Sequence, residues 1–96
     1  MTIEIKKNVD ELVLEITGRV DTITAPTLDK TINENLANVK SLILDLKGLE
    51  YISSAGLRVL LSAQKRLKSG MKLINVCELV MEVFEMTGFV DILVIE

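Results

Sequence analysis

Two stretches near the N-terminus alternate between apolar and polar residues. Residues 2–6 and residues 11–17 both follow this two-residue period, which is typical of β-strands with one buried face. Residues 8–10 are mostly polar and separate the two stretches, so the pattern predicts a β-hairpin. Residues 18–21 then predict a turn that leads into the first helix.

The first predicted helix begins directly after this turn. Thr24 is its predicted N-cap, and Pro26 stands in the first turn, where a missing N–H costs nothing. Apolar residues then recur at three- and four-residue spacing, namely Ala25, Leu28, Ile32, Leu36 and Val39. This stripe predicts a helix that packs on the sheet.

Two further amphipathic helices follow in the second half of the chain. One starts at residues 53–54 and runs to about Lys68, with residues 69–70 as its end. The other occupies residues 79–87 and stops at Gly88. Their predicted core-facing residues are Gly56, Val59, Leu60, Ala63 and Leu67, and then Val80, Val83, Phe84 and Thr87.

Three more stretches predict strands. Residues 41–46 are apolar on both faces apart from Asp45, a pattern that suits a central strand covered by helices. Residues 71–76 predict another strand, and residues 91–95 a last edge strand. The resulting order β-β-α-β-α-β-α-β predicts one α/β domain over residues 1–96. Its sheet is mixed but mostly parallel, with four or five strands and an N-terminal hairpin.

The composition is that of an ordinary globular protein. Hydrophobic residues make up 49% of the chain and charged residues 26%, which argues against disorder. The longest apolar runs are far shorter than the roughly 20 residues that a membrane helix needs, and the N-terminus lacks the apolar segment of a signal peptide. Cys77 is the only cysteine, so no intrachain disulfide forms. These features predict a cytoplasmic protein without membrane insertion.

The charge and the aromatic content exclude further classes of function. A net charge of −3 with dispersed lysines argues against nucleic-acid binding. Three scattered aromatic residues, Tyr51, Phe84 and Phe89, do not form a base-stacking platform. The chain has no histidine, which removes imidazole-based catalysis and most zinc sites. We therefore expect no cofactor and no metal.

Ser53 and Ser54 are the main candidates for chemistry, because they stand where a strand passes into a helix. A serine there can be an N-cap, a nucleophile or a phosphate acceptor. The lack of histidine and of a Gly-x-Ser-x-Gly elbow argues against the nucleophile, and hence against an enzyme. A cap and a phosphate acceptor remain, and one serine can be both. We expect Ser54 to fill these roles.

Several residues near this junction are candidates for binding a partner. Leu57 and Leu61 lie off the core stripe of the second helix, so they form either an apolar partner patch or a surface covered by the third helix or a loop. Arg58 is either a solvated charge or the counterion of an acidic partner group. Asp21 and Thr22 form either a plain polar turn or a loop at the same sheet edge as the serines. Asp45, without a second acid or a metal partner, is expected to be structural.

Three motifs give the chain a family resemblance. They are GRVD at residues 18–21 followed by AP at 25–26, LDL at 44–46 leading into YISSAGL at 51–57, and MTGF at 86–89. With these motifs the chain resembles the STAS domain, and specifically a stand-alone bacterial anti-sigma-factor antagonist. The middle motif is the specific one, and the spacing of the three covers essentially the whole chain.

The resemblance implies a partner-switching function. The unphosphorylated protein would bind an anti-sigma factor that is also a serine kinase, and would so release a sigma factor. Phosphorylation would break that complex, and a serine phosphatase would restore it. The family's phosphoacceptor corresponds to Ser54, with Ser53 as the second candidate. Partner contacts would come from the junction and the neighbouring loop, namely Asp21, Thr22, Ser53, Ser54, Leu57, Arg58 and Leu61.

The chain departs from the family pattern on both sides of Ser54. The family often has an aspartate before the phosphoacceptor and a hydroxyl residue after it, whereas this chain has Ser53 and Ala55. This leaves a second hypothesis open, in which the domain is a non-phosphorylated scaffold or an accessory subunit of a transport or signalling complex. A third hypothesis, a small hydrolase that uses Ser54, is disfavoured by the missing histidine.

Overall fold

Strands and helices alternate along the chain as the hydrophobic pattern predicts. The computed structural model describes residues 1–67 and 70–96. The elements are β1 (Thr2–Lys7), β2 (Glu11–Val20), α1 (Ala25–Asn35), β3 (Ser41–Ile52), α2 (Ser54–Leu67), β4 (Met71–Ile74) and α3 (Glu78–Thr87), followed by a 3₁₀ turn at Phe89–Asp91. The predicted α/β class is confirmed. The predicted end of α2 at residues 69–70 falls partly outside the described residues.

The sheet has the predicted mixed topology. Its strand order is β1-β2-β3-β4. β1 and β2 pair antiparallel as the predicted hairpin, whereas β2 with β3 and β3 with β4 pair parallel. The carboxyl ends of β2 and β3 therefore lie side by side at one edge of the sheet, which is where ligands and partners meet open α/β sheets most often.

The core lies on one face of the sheet. Leu14, Leu44 and Leu73 stand side by side in β2, β3 and β4, and each has 0% exposure. The next row on the opposite face, including Val13 and Ile43, is only half-buried. Buried residues of all three helices join the same cluster. The expectation that helices cover both faces of β3 is therefore wrong, because all three helices lie on one side.

β2 and β3 are longer than the sequence predicts. Residues 18–20, predicted as a turn, continue β2, and residues 47–52 continue β3. The pairing register shifts twice, so that β3 carries one extra residue at each step. Such bulges break the two-residue alternation that identifies a strand, although the ladder itself continues. The pattern along the sequence therefore ends before the strand does.

The C-terminal segment differs most from its prediction. Residues 91–95 do not form a strand, and only an isolated parallel bridge joins Leu73 to Ile95. The 3₁₀ turn takes up the start of this segment, with the Leu93 N–H donating to the Phe89 carbonyl. β4 ends at Ile74, where the chain turns through a residue with positive φ. No helix among the described residues is long and apolar enough to cross a membrane.

The predicted faces of α3 are partly confirmed. Val80 and Phe84 are buried, with 1% and 0% exposure. Thr87 is exposed, contrary to prediction, because its hydroxyl donates to the Val83 carbonyl of its own helix instead of packing inward. Gly88 ends the helix as predicted, with φ of 80° in the left-handed region that glycine adopts without strain.

Candidate functional site

The ends of β2 and β3 bring the loop after β2 against the start of α2. Val20 and Ile52 are neighbours in the ladder, and the Ser53 N–H donates to the Val20 carbonyl at 2.8 Å. A Cβ at Gly56 would lie 2.7 Å from side-chain carbons of both Val20 and Ile52. The first turn of α2 therefore packs directly on the strand ends. Asp21, which follows Val20, lies at the same sheet edge as the serines.

Ser53, and not Ser54, caps α2. The Ser53 carbonyl accepts the Leu57 N–H at 2.9 Å, and the Ser53 hydroxyl oxygen lies 3.5 Å from the Gly56 nitrogen that donates to it. Ser54 is the first residue of the helix. The expectation that Ser54 is the cap is wrong, because the helix begins at Ser54 itself, one residue earlier than a cap at Ser54 requires.

This difference leaves Ser54 available for chemistry. Its side chain is exposed, and its hydroxyl forms no hydrogen bond with any residue that the structure describes. A negative group attached here would stand at the positive end of the α2 dipole, which favours anions. The cap formed by Ser53 does not involve the Ser54 side chain.

A closed set of hydrogen bonds holds the loop beside Ser54. The Asp21 carboxylate accepts the N–H groups of Ile23 and Thr24, each at 3.0 Å. The Thr24 hydroxyl accepts the Asp21 N–H at 2.8 Å and donates to the Arg19 carbonyl at 2.9 Å. Thr24 thus stands at the predicted N-cap position of α1, but its side chain bonds to the loop and does not cap the helix. The loop has a defined shape before any partner binds.

These bonds also set the charge of the loop. The backbone N–H of Thr24 lowers the pKa of Asp21 most, and the Ile23 N–H, the Thr24 hydroxyl and the Arg19 charge add to this effect against the opposing influence of partial burial. Asp21 is therefore ionised at neutral pH. The loop presents a fixed negative group beside the start of α2.

We expect Asp21→Asn to destabilise the protein at neutral pH but not in strong acid. Because folding lowers the pKa of Asp21 below 3.8, its contribution is present above that value and is lost as the pH falls through the folded-state pKa. Urea unfolding at pH values from about 7 to about 2 should show that the free energies of unfolding of the wild type and of Asp21→Asn converge as the pH falls. Asp10→Asn in the β1–β2 turn is the control. A gap that stays constant with pH would contradict this role of the carboxylate.

The apolar candidates on α2 separate into one core residue and one surface residue. Leu57 is only 6% exposed and belongs to the buried cluster that includes residues of α3. Of the two alternatives for Leu57, the structure therefore shows the covered side chain and not an open apolar patch. Leu61 is half-buried, and Arg58 and Thr22 are exposed, so these three are accessible at or near the edge.

Sequence reasoning missed Ile23. This side chain is 85% exposed in the loop beside Ser54, although an isoleucine is normally buried. It fits neither the strand pattern before it nor the helix pattern after it. An apolar residue alone in a short polar loop is the signal that would have identified it. Together with Asp21 it gives the edge an apolar and a charged contact point.

Two residues away from this edge have local structural contacts. The Asp45 carboxylate accepts the Lys47 N–H at 3.1 Å and the Asn75 side-chain amide at 3.0 Å, in keeping with its predicted structural role. Cys77 is half-buried and its thiol donates to the Leu49 carbonyl at 3.4 Å. Across residues 1–67 and 70–96, no three His, Cys, Asp or Glu side chains come together in a group that could hold a metal ion.

The chain is similar in sequence to known anti-sigma factor antagonists. The chain is 29% identical over 96 residues to the anti-sigma-B factor antagonist of Bacillus subtilis (strain 168), covering 97% of this chain and 88% of that protein. It is 48% identical over 56 residues to BtrV of Bordetella bronchiseptica, a match over 55% of this chain and 48% of BtrV. That match therefore spans about half the length of BtrV.

Solved structures show the same fold. The unphosphorylated form of the anti-sigma factor antagonist SpoIIAA gives a TM-score of 0.84 at 18% identity, covering 99% of this chain and 88% of SpoIIAA. The phosphorylated form of Bacillus SpoIIAA gives 0.75 at 17% identity, covering 99% and 91%. The family model of the STAS domain matches residues 1–96, which include all the strands and helices given above. The chain belongs to the STAS domain family.

Proposed function

We propose that this protein is an anti-sigma factor antagonist that is switched by phosphorylation of Ser54. The unphosphorylated form binds an anti-sigma factor that is also a serine kinase, and so frees a sigma factor. Phosphorylation of Ser54 by that kinase ends the complex, and a serine phosphatase restores the binding form. The names of the related proteins support the antagonist function, and SpoIIAA has been solved in both phosphorylation states.

The observation that carries the choice of Ser54 is its exposed side chain one residue after the cap, with a hydroxyl that bonds to no residue in the described part of the chain. Ser53 is half-buried, its N–H and carbonyl are both hydrogen-bonded, and its hydroxyl serves the helix N-terminus. A kinase would have to reach a half-buried hydroxyl whose oxygen already accepts the Gly56 N–H. Ser54 has neither restriction.

The partner surface combines this serine with the rigid loop and the accessible residues of α2. It consists of Asp21, Thr22, Ile23, Ser54, Arg58 and Leu61. Leu57 stays beneath this surface as a core residue. A phosphate of about −1.5 to −2 charge would face an interface that also receives an apolar side chain, where burying a charge is costly. The phosphate therefore acts on the interface and leaves the domain folded.

Phosphosite mapping tests the proposal directly. We expect the anti-sigma factor kinase of the same genome to add one phosphate with Mg-ATP, and mass spectrometry to place it on Ser54. Ser54→Ala should take up none. Ser53→Ala should still be phosphorylated, although loss of the cap lowers its free energy of unfolding by about 1 kcal/mol. Phosphate on Ser53 would contradict the choice of serine. A stable protein that neither binds the anti-sigma factor nor takes up phosphate would favour the scaffold or accessory-subunit hypothesis.

We expect Ile23→Ser to weaken binding of the anti-sigma factor about fivefold or more. Ile23 is exposed on a loop that is already ordered, so contacts that it makes with a partner need no further ordering of the loop. Truncating such an anchor residue costs more than about 1 kcal/mol of binding free energy. Stability should stay within about 0.5 kcal/mol of wild type, because the side chain is exposed. Isothermal titration calorimetry measures the affinity.

Val9→Ser is the matched control for Ile23→Ser. Val9 is 96% exposed, but it lies in the β1–β2 turn at the opposite end of β2. If the two substitutions changed the affinity equally, Ile23 would not be a specific contact, and the interface would lie elsewhere.

A further inference from the structure

Charge is unevenly distributed along the chain. All 11 Lys and Arg residues lie within residues 1–72, together with nine of the 14 acidic residues. Residues 73–96 contain the other five acidic residues and no basic one. The C-terminal quarter, which includes α3, therefore has a formal charge of −5 in a protein whose total is −3.

The outer side of α3 also carries an apolar stripe. Leu79 is 56% exposed and Met86 is 87% exposed. With half-buried Val83 between them, they fall within about 60° of arc at 100° per residue. The buried residues of the helix, Val80 and Phe84, lie about 60–160° further round. Val83 packs against the core cluster at the border of the two faces, so Leu79 and Met86 are the open part of the stripe.

Three glutamates border this stripe. Glu78, Glu82 and Glu85 are exposed and lie together on the side of the stripe away from the core. None of them forms an ion pair with any residue in the described part of the chain. The surface thus combines two exposed apolar side chains with a row of three exposed carboxylates.

We propose that this face of α3 docks a basic amphipathic segment of a partner protein. The segment has apolar residues at i, i+4 and i+7 that contact Leu79 and Met86, and lysine or arginine along one flank that pairs with the glutamates. A second copy of this chain is a poor occupant, since a two-fold contact would set the same acidic row against itself. An anionic membrane surface is excluded because its negative headgroups would repel the same acidic row.

This surface is distinct from the Ser54 edge. α3 follows β4, whereas the Ser54 edge is built from the ends of β2 and β3. The proposed segment contacts Leu79, Met86 and the three glutamates, none of which belongs to the proposed partner surface around Ser54, so its binding is tested independently of the switch function. A failure at one surface says nothing about the other.

The test is an NMR titration of the full chain with a synthetic helical peptide of about 15 residues, long enough to form a helix on binding. The peptide carries leucines at i, i+4 and i+7 and lysines along one flank. We expect saturable shift changes in residues 78–87 and their packing neighbours. Met86→Ser should weaken binding about tenfold, and Glu82→Gln should reduce both the affinity and its dependence on salt.

Two controls make the result decisive. A peptide with glutamates in place of the lysines should not bind, and Val9→Ser should bind the lysine peptide as wild type does. Shifts centred on Glu4 and Glu15, which face each other across β1 and β2, would overturn the proposal, as would equal binding by Met86→Ser. Self-association that Met86→Ser abolishes, or binding to vesicles rich in phosphatidylserine, would also overturn it, because each assigns the surface to another occupant.

Discussion

Replacing Leu57 by alanine is expected to lower the free energy of unfolding by about 2–5 kcal/mol. The side chain is 6% exposed and belongs to one buried cluster with Val80 and Phe84 of α3. Truncation removes its apolar contacts and leaves a cavity that the surrounding strands and helices cannot fully close. For a domain of this size such a loss lowers the melting temperature by roughly 10 °C or more.

Leu61→Ala is the matched control, because it makes the same chemical change one helical turn later on α2. Leu61 is half-buried, so we expect a loss of no more than about 1 kcal/mol. Urea denaturation of both variants measures the difference. Equal losses would show that Leu57 is not the core residue that its burial indicates, and would return it to the partner surface.

Leu57 illustrates what a helical wheel leaves out. The wheel places the residue correctly on the flank of the α2 core stripe, but it contains no information about neighbouring elements. Burial of that flank depends on tertiary packing within the core cluster, whose other members come from elements distant along the chain. The sequence analysis left both alternatives open at this position, and tertiary packing decides between them.

Regular periodicity explains which elements were predictable. The β1–β2 hairpin, the three helices and the parallel pairing all follow from uninterrupted stretches in which apolar residues recur every two residues or about every three and a half residues. The second halves of β2 and β3 were not predictable, because the bulges displace the buried positions. The C-terminal segment alternates like a strand, yet the 3₁₀ turn at Phe89–Asp91 leaves it only one bridge.

The structure brings Asp21 and Ser54 to the same end of the sheet, but the local roles of the candidate residues were not all predictable. The sequence analysis offered a shared sheet edge for Asp21 and Ser54 as one of two alternatives, because both would follow parallel strands. The cap assignment required knowing the residue at which α2 begins, and a shift of one residue moves the cap from Ser54 to Ser53. That shift strengthens the case for Ser54, because it separates the structural serine from the accessible one.

Ser54→Asp is expected to reduce affinity for the anti-sigma factor at least tenfold, or about 1.4 kcal/mol. The added carboxylate stands in the first turn of α2, where the helix dipole stabilises it by roughly 0.3–1 kcal/mol. The folded domain should therefore keep or slightly raise its melting temperature. Binding weakens because the partner must desolvate a negative charge beside Asp21 and the apolar side chain of Ile23.

Two matched variants separate a local effect of charge at Ser54 from the loss of the serine hydroxyl and from general charge repulsion. Ser54→Ala should bind normally with little loss of stability, because Ser53 provides the cap. Ser62→Asp adds the same charge to an exposed position of α2, about 12 Å further along the helix, and should bind as wild type does. Calorimetry gives the affinities, and backbone amide shifts of Ser54→Asp should change only near the strand ends and α2. Shift changes across the whole sheet would instead indicate that the charge acts by rearranging the domain, and equal weakening by Ser62→Asp would indicate general repulsion rather than a switch at Ser54.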